Sequence, residues 1–273
     1  MKGLNNLGNT CYMNAAIQML IQNEEFCHLI LYNQNKTNTL NILSNFIKEY
    51  YNTHNNSSLN AQPIKSIVET ENNIFIGNNQ HDATEFIICL FDIINKELHN
   101  IKSDTNLNNI FNIQFNTKIL CQELNCNNIT STIENNLFLL LNIDNDSQHL
   151  SDLLRKFKLH EILDNDNKYY CDKCTVKTNA LKKTFIISTS KHLIIILKKY
   201  HNQKYNIDIP VIWKNYILKG IIIHSGTLDG GHYMYISNIE DSWVLFNDNV
   251  ISLIPNINQY LPNAYCLYLQ RIE

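Results

Sequence analysis

Gly3-Leu4-Asn5-Asn6-Leu7-Gly8-Asn9-Thr10-Cys11-Tyr12-Met13-Asn14 is the stretch whose reading decides the fold. Gly and Asn crowd the approach to Cys11, and both permit tight turns that present a side chain at a cleft. From Cys11 to residue 21 the pattern turns helical, with Ala16, Ile17 and Leu20 at i, i+1 and i+4. Cys11 therefore falls at a helix N-terminus. Unpaired backbone N–H groups and the helix dipole favour a thiolate there, so its pKa is expected to be lowered. Most single cysteines are buried structural residues; the turn followed by a helix favours a nucleophile. Asn6 lies upstream, and its amide is a candidate donor to a developing oxyanion. In so Asn-rich a chain, a surface position is the bland alternative for it.

A thiol nucleophile needs a base. His224-Ser225-Gly226-Thr227-Leu228-Asp229-Gly230-Gly231-His232-Tyr233 supplies the candidate. His232 follows a Gly-Gly pair that lets a substrate backbone come close, and it opens an apolar strand that would hold the ring rigidly. His224 lacks the Gly-Gly lead and is the second choice. A catalytic imidazole also needs a partner for its other nitrogen. Asn247-Asp248 follows the strand Trp243-Val244-Leu245-Phe246, and either side chain would serve. Asn247-Asp248-Asn249 reads equally well as the turn that ends that strand.

Working outward, 273 residues suffice for one large domain or two to three lobes. Hydrophobic residues are 44% and charged residues 17%, as in a globular chain. The formal net charge of -3 argues against a mainly electrostatic nucleic-acid or membrane partner. No apolar run reaches membrane-spanning length, and no signal-peptide pattern follows Met1. A reducing compartment, cytoplasmic or nuclear, is expected, and there paired cysteines favour metal over disulfide. A monomer is expected.

Residues 39–51 form a second helical pattern, with Leu40, Leu43, Ile47 and Tyr50 on one face. Pro63 can open a short helix through Val68. A stronger helix starts near Asp82, its buried stripe marked by Phe86, Cys89, Leu90 and Ile93. Asp82 and Glu85 have capping-box spacing. Residues 100–109 are polar and irregular. Beyond them the period changes: residues 112–120 and 136–143 look like strands, and Leu150 to Phe157 like a short helix with Ser151 near its start. The last third is strand-rich: Leu193 to Leu197, Gly220 to Ile223, His232 to Ile236, Trp243 to Phe246 and Ala264 to Leu269. Helices first and strands later predict an α+β fold.

Cys171-x-x-Cys174 has metal-knuckle spacing, and Cys121 and Cys126 form a wider pair. Four thiolates would make a closed tetrahedral zinc site, structural rather than catalytic. Four reduced cysteines in a small β-lobe are the alternative. Cys27, Cys89 and Cys266 lie in apolar patterns and are expected in the core.

Taken together, these segments resemble the catalytic core of the ubiquitin-specific proteases, papain-like deubiquitinating enzymes. Gly3 to Asn14 is similar to that family's cysteine box, and Gln80-His81-Asp82-Ala83-Thr84-Glu85-Phe86 to its acidic motif. Asp166 to Cys174 resembles its second zinc hairpin, Leu193 to Tyr200 its Leu-Lys-Arg-Phe strand, and His224 to Tyr233 with Trp243 to Val250 its histidine box. Ala264 to Leu269 resembles its closing strand. In Lys198-Lys199-Tyr200 the chain departs from the usual Lys-Arg-Phe.

The resemblance implies a single domain of three parts: a thumb-like helical part over 1–110, a fingers-like part with a connecting helix over 111–190, and a palm-like β part over 191–273. It implies Cys11 as nucleophile, His232 as base and acid, Asn247 as third member, Asp248 beside it and Asn6 in the oxyanion hole. Asp82, Glu85, Gly231 and Tyr233 are then expected at the substrate, with Asp82 meeting the basic tail of ubiquitin by charge-assisted hydrogen bonds. Zinc would be held by Cys121, Cys126, Cys171 and Cys174. The implied reaction is hydrolysis of the bond after ubiquitin's C-terminal Gly. The same fold acting on another ubiquitin-like modifier and a non-catalytic ubiquitin-binding protein are the alternatives.

Overall fold

A central sheet that is buried on both faces divides this protein's interior in two. The computed structural model describes residues 1–52, 57–144, 146–199, 207–227 and 230–272. Helices come first: α1 (Cys11–Ile21), α2 (Glu24–Tyr32), α3 (Asn38–Tyr51), α4 (Gln62–Glu71), α5 (Ala83–Asn100) and α6 (Leu107–Ile110). Then follow β1 (Ile113–Cys121), β2 (Ile129–Asn136), β3 (Leu139–Ile143), α7 (Leu150–Phe157), β4 (Glu161–Leu163), β5 (Tyr169–Cys171), β6 (Val176–Thr178), β7 (Ala180–Thr189) and β8 (His192–Lys199). The chain closes with β9 (Ile212–Trp213), β10 (Tyr216–Thr227), β11 (Gly230–Ile239), β12 (Ser242–Asn247), β13 (Val250–Ile254) and β14 (Ala264–Arg271). The α+β expectation holds. Among the described residues, no helix is long and apolar enough to cross a membrane.

The large sheet runs β13-β12-β11-β10-β14-β8-β3, with β9 paired on β10. The unbroken apolar run of β8 has a reason in this topology. Ile194 and Ile196 enter the core under the helices, while Leu193, Ile195 and Leu197 enter a second core on the other face. A strand buried on both faces loses the polar alternation of a half-exposed one. Helix α1 threads the first core with all of its residues buried, packed on β11 and α5. This is why the cysteine box, at its start, lies against the histidine strand.

A smaller four-stranded sheet, β2-β1-β7-β4, projects from this body, and the β5-β6 hairpin stands beside its tip. Residues 136–143 do not form one strand: β2 ends at Asn136 and β3 begins at Leu139. The sequence reading passed over α2, β2 and β7. Strand β2 is exposed along most of its length and β7 places Phe185 and Ile187 at exposed positions, so neither shows the apolar-in, polar-out alternation of a half-buried strand. Within residues 100–109, expected to be irregular, Leu107 opens the short α6, and Asn106 N–H donates to Asn109 Oδ1 at 2.9 Å at its start. At the start of α7 the N-cap residue is His149, whose backbone N–H donates to Asp152 Oδ2 at 3.1 Å, and Ser151 Oγ accepts from Trp213 Nε1 at 3.1 Å. Of the three cysteines expected in the core, Cys27 and Cys266 are buried and Cys89 is only half-buried. Tyr200, Leu228 and Asp229 lie outside the described residues.

Candidate active site

The turn before Cys11 is built as its residue types predict. Gly8 and Asn9 both have positive φ, +101° and +55°. Asn6 Oδ1 accepts from the backbone N–H of Gly8 at 3.0 Å and of Thr10 at 3.2 Å. These bonds fix the amide plane and turn Asn6 Nδ2 toward Asp248 Oδ2, 2.8 Å away. One hydrogen of that exposed NH2 group is used, and the second remains to donate.

Cys11 is the first residue of α1 and is 4% exposed. The expectation of a lowered thiol pKa is corrected: it is raised above its ordinary value. Burial is the main cause, and the Asp248 charge adds to it; the backbone N–H groups of Tyr233, Tyr12 and Cys11 itself pull the other way. Desolvation outweighs the helix terminus because a thiolate loses its water there. Helix α1, which Cys11 opens, packs on β11, the strand that carries His232 and Tyr233.

His232 lies near the start of β11, opposite Ser225 of β10. Its Nε2 is 2.6 Å from Asn247 Oδ1, at the end of β12. A carbonyl oxygen only accepts, so Nε2 carries the hydrogen and Nδ1 keeps the lone pair. Asp248 follows with φ +50° and does not touch His232 in any described bond. Its Oδ1 accepts from Asn14 Nδ2 at 2.8 Å, and its backbone carbonyl from Leu4 N–H at 2.8 Å. The structure thus separates the two neighbours: Asn247 faces the imidazole, and Asp248 faces the cysteine box. His224 packs its ring on Tyr233, centroids 4.5 Å apart, and fills the space over Gly231, where a Cβ would collide with its Nε2.

Asp82 caps α5 as predicted, with Oδ1 accepting from Thr84 N–H at 2.7 Å and Glu85 N–H at 3.0 Å. Oδ2 accepts from the Tyr233 hydroxyl at 3.2 Å and from the Tyr265 hydroxyl. The carboxylate therefore joins the helical part to two strands of the sheet. Burial and the Asp82 charge raise the pKa of both phenols, which stay protonated and donate. Glu85 is exposed, and burial followed by the Asp82 charge raises its carboxyl pKa. Gly231 N–H donates to Gln80 Oε1 at 2.8 Å, a second link across the same cleft. Sequence reasoning missed Tyr265, Gln80 and Asn14 as members of the site. The one usable signal was a tyrosine within an apolar strand, whose hydroxyl needs a partner.

Cys121, Cys126, Cys171 and Cys174 meet where the tip of β1 faces the β5-β6 hairpin. Their sulfurs all lie within 4.8 Å of one another. Cys126 and Cys171 are 3.6 Å apart and Cys121 and Cys174 4.0 Å apart. Tetrahedral Zn–S bonds require S···S separations of about 3.8 Å. The donor set and spacing thus fit a structural zinc site, the wider Cys121–Cys126 pair included. Left-handed residues Asn125, Asn127 and Thr175 provide the tight turns. Asn128 Nδ2 donates to Cys171 Sγ at 3.5 Å.

Comparison with known proteins gives one consistent result. The family described as Ubiquitin carboxyl-terminal hydrolase matches residues 2–268. Ubiquitin carboxyl-terminal hydrolase 2 of Bos taurus is 22% identical over 330 residues, covering 98% of this chain and 54% of that protein. Ubiquitin carboxyl-terminal hydrolase 17-like protein 12 of Homo sapiens is 24% identical over 304 residues, covering 99% and 56%. The chain thus spans about half the length of these relatives. Among solved structures, one of the SAGA Ubp8/Sgf11/Sus1/Sgf73 DUB module bound to ubiquitin aldehyde superposes with a TM-score of 0.78 at 24% identity, covering 100% of this chain and 70% of that one.

Proposed function

From the premise that this chain belongs to the ubiquitin carboxyl-terminal hydrolase family, and to its ubiquitin-specific protease type, we propose that it hydrolyses the bond after the C-terminal Gly of ubiquitin with Cys11 as nucleophile. One observation supports the reading most: Asn6, in the turn before Cys11, bonds Asp248, and the adjacent Asn247 bonds His232, so the cysteine turn is tied to the histidine strands.

In this mechanism Asn247 holds the Nε2–H tautomer, so His232 Nδ1 takes the Cys11 proton. The sulfur then adds to the Gly carbonyl. The remaining Asn6 N–H and the helix-start N–H groups stabilise the oxyanion. His232 returns its proton to the leaving lysine amine as the C–N bond breaks, which leaves a thioester. Water attacks the thioester, His232 takes a proton from it, and Cys11 leaves as thiol with the Gly carboxylate released.

Glu85 offers an exposed carboxylate to the basic tail, beside Asp82, whose Oδ2 accepts from the Tyr233 hydroxyl. Gly231 and Tyr233 line the tail's path beside His232. Cys121, Cys126, Cys171 and Cys174 would hold a zinc ion, which when bound would supply a structural link between the tip of β1 and the β5-β6 hairpin. The division at 110 and 190 into thumb-like, fingers-like and palm-like parts follows this assignment, as does residence in a reducing compartment, cytoplasmic or nuclear.

The test is reaction with ubiquitin carrying a C-terminal thiol-reactive warhead. An adduct of wild type and none of Cys11→Ala supports the proposal. A folded wild type that forms no adduct removes ubiquitin as the substrate. An adduct that persists in Cys11→Ala reassigns the nucleophile.

A further inference from the structure

We propose that Asn14 is a positioning residue that aims the Asn6 amide at the oxyanion through Asp248; this rests on the reading of Asn6 as oxyanion donor. Helix α1 is buried along its whole length, and apolar side chains fill most of it. Asn14, one turn after Cys11, is 2% exposed. Its Nδ2 reaches three oxygens: Leu4 O at 3.4 Å, Asn5 O at 3.2 Å and Asp248 Oδ1 at 2.8 Å. Its Oδ1 is buried and has no donor among the described residues. A buried acceptor left unpaired is destabilising, so the position keeps an amide for its donor side.

The geometry of that donor side forms a chain. Asn14 fixes one oxygen of Asp248, and the other oxygen holds Asn6 Nδ2 at 2.8 Å. The segment carrying Asn6 is tied to the same two residues, through Leu4 N–H to Asp248 O and through the Asn14 contacts to Leu4 and Asn5. Asp248 is itself held in the left-handed region at φ +50°, a conformation that needs support. Asn6 lies on the exposed side of this assembly, so its own turn and Asp248 set its direction. Because Cys11 and Asn14 share a helix face, the relay fixes the donor relative to the nucleophile. An oxyanion donor works by being aimed before the charge develops.

A relay of this kind makes a non-additive prediction. The assay is turnover of ubiquitin carrying a C-terminal fluorogenic amide by wild type, Asn6→Ala, Asn14→Ala and the double variant. Asn6→Ala should lower kcat by about 10²- to 10³-fold. Asn14→Ala should lower kcat by roughly 10- to 100-fold, the scale of a misaimed group, with KM within about twofold of wild type. The double variant should be no worse than Asn6→Ala alone. Alkylation of Cys11 by iodoacetamide builds no oxyanion, so its rate should not fall in step with kcat in Asn14→Ala. If Asn14→Ala does not fold, Asn14→Ser, whose hydroxyl is too short to reach Asp248, carries the same expectations. Losses that multiply in the double variant overturn the relay, as does an alkylation rate that falls in step with kcat. An inert wild type overturns the underlying reading and the relay with it.

Discussion

Replacing Asp82 with alanine separates two jobs of one carboxylate, structural cap and substrate contact, and the structure assigns most of the loss to stability. The substitution removes the side-chain cap on two N–H groups of α5, worth about 1 kcal/mol. It also strips the acceptor from the Tyr233 and Tyr265 hydroxyls. Each phenol left without a partner in a largely buried setting costs about 1 kcal/mol, the low end for an unsatisfied group, because both rings keep some access to water. The total is about 3 kcal/mol. For a chain of 273 residues the unfolding entropy near the midpoint converts this to a fall of about 5 °C in Tm. Asp82→Asn should fall by less than half as much, since asparagine caps as well as aspartate. The assay is calorimetry of both variants beside KM measured on a ubiquitin substrate. A folded Asp82→Ala protein whose Tm stays within 1 °C while KM rises tenfold or more would refute this reasoning: the carboxylate would then be a substrate contact that the fold does not need.

Three further outcomes follow from the site. Metal analysis should find about one zinc per chain, and Cys171→Ser should lose it with a lower melting temperature; a metal-free protein with an unchanged melt would leave four reduced thiols. In Gly231→Ala, the new methyl meets the His224 ring and the Ser225 carbonyl, so strand β11 must shift at His232, and kcat/KM should drop by about 10²-fold or more; activity within twofold of wild type would show that the strand yields harmlessly. Asp248→Asn removes a negative charge that raises the Cys11 pKa, so more thiolate is present at pH 7 and iodoacetamide should react faster; an unchanged or slower rate would show that the charge does not reach the sulfur.

Much of the site was legible in the linear chain because its signals are local. Gly8 and Asn9 announce a turn, the apolar spacing after Cys11 announces a helix, and both formed. Asp82 before the helical pattern announced a cap, and it accepts two backbone bonds as a cap does, without the reciprocal Glu85 bond of a capping box among the described residues. The paired cysteines announced a cluster, and their sulfurs converge. What failed locally failed for stated reasons. Strand β2 is exposed along most of its length and β7 exposes Phe185 and Ile187, so neither carries the alternation by which a strand is read. The thiol pKa was read from the helix terminus alone, whereas burial by the surrounding elements outweighs it.

The residue types, their order and their short-range periodicity thus determined the α+β class, the helix that begins at Cys11, the histidine strand and the metal-like cysteine pairs. Sequence could not choose between Asn247 and Asp248, because adjacent residues differ only in where the chain points them. Closure of the sheet chose, turning Asn247 to His232 and Asp248 to Asn6 and Asn14. The same closure brought Tyr265 to Asp82 and Gln80 to Gly231. Hydrogen bonds between groups so far apart along the chain leave no periodic trace in it. They exist only once the packing of α1 on β11 has fixed both partners within a few ångströms.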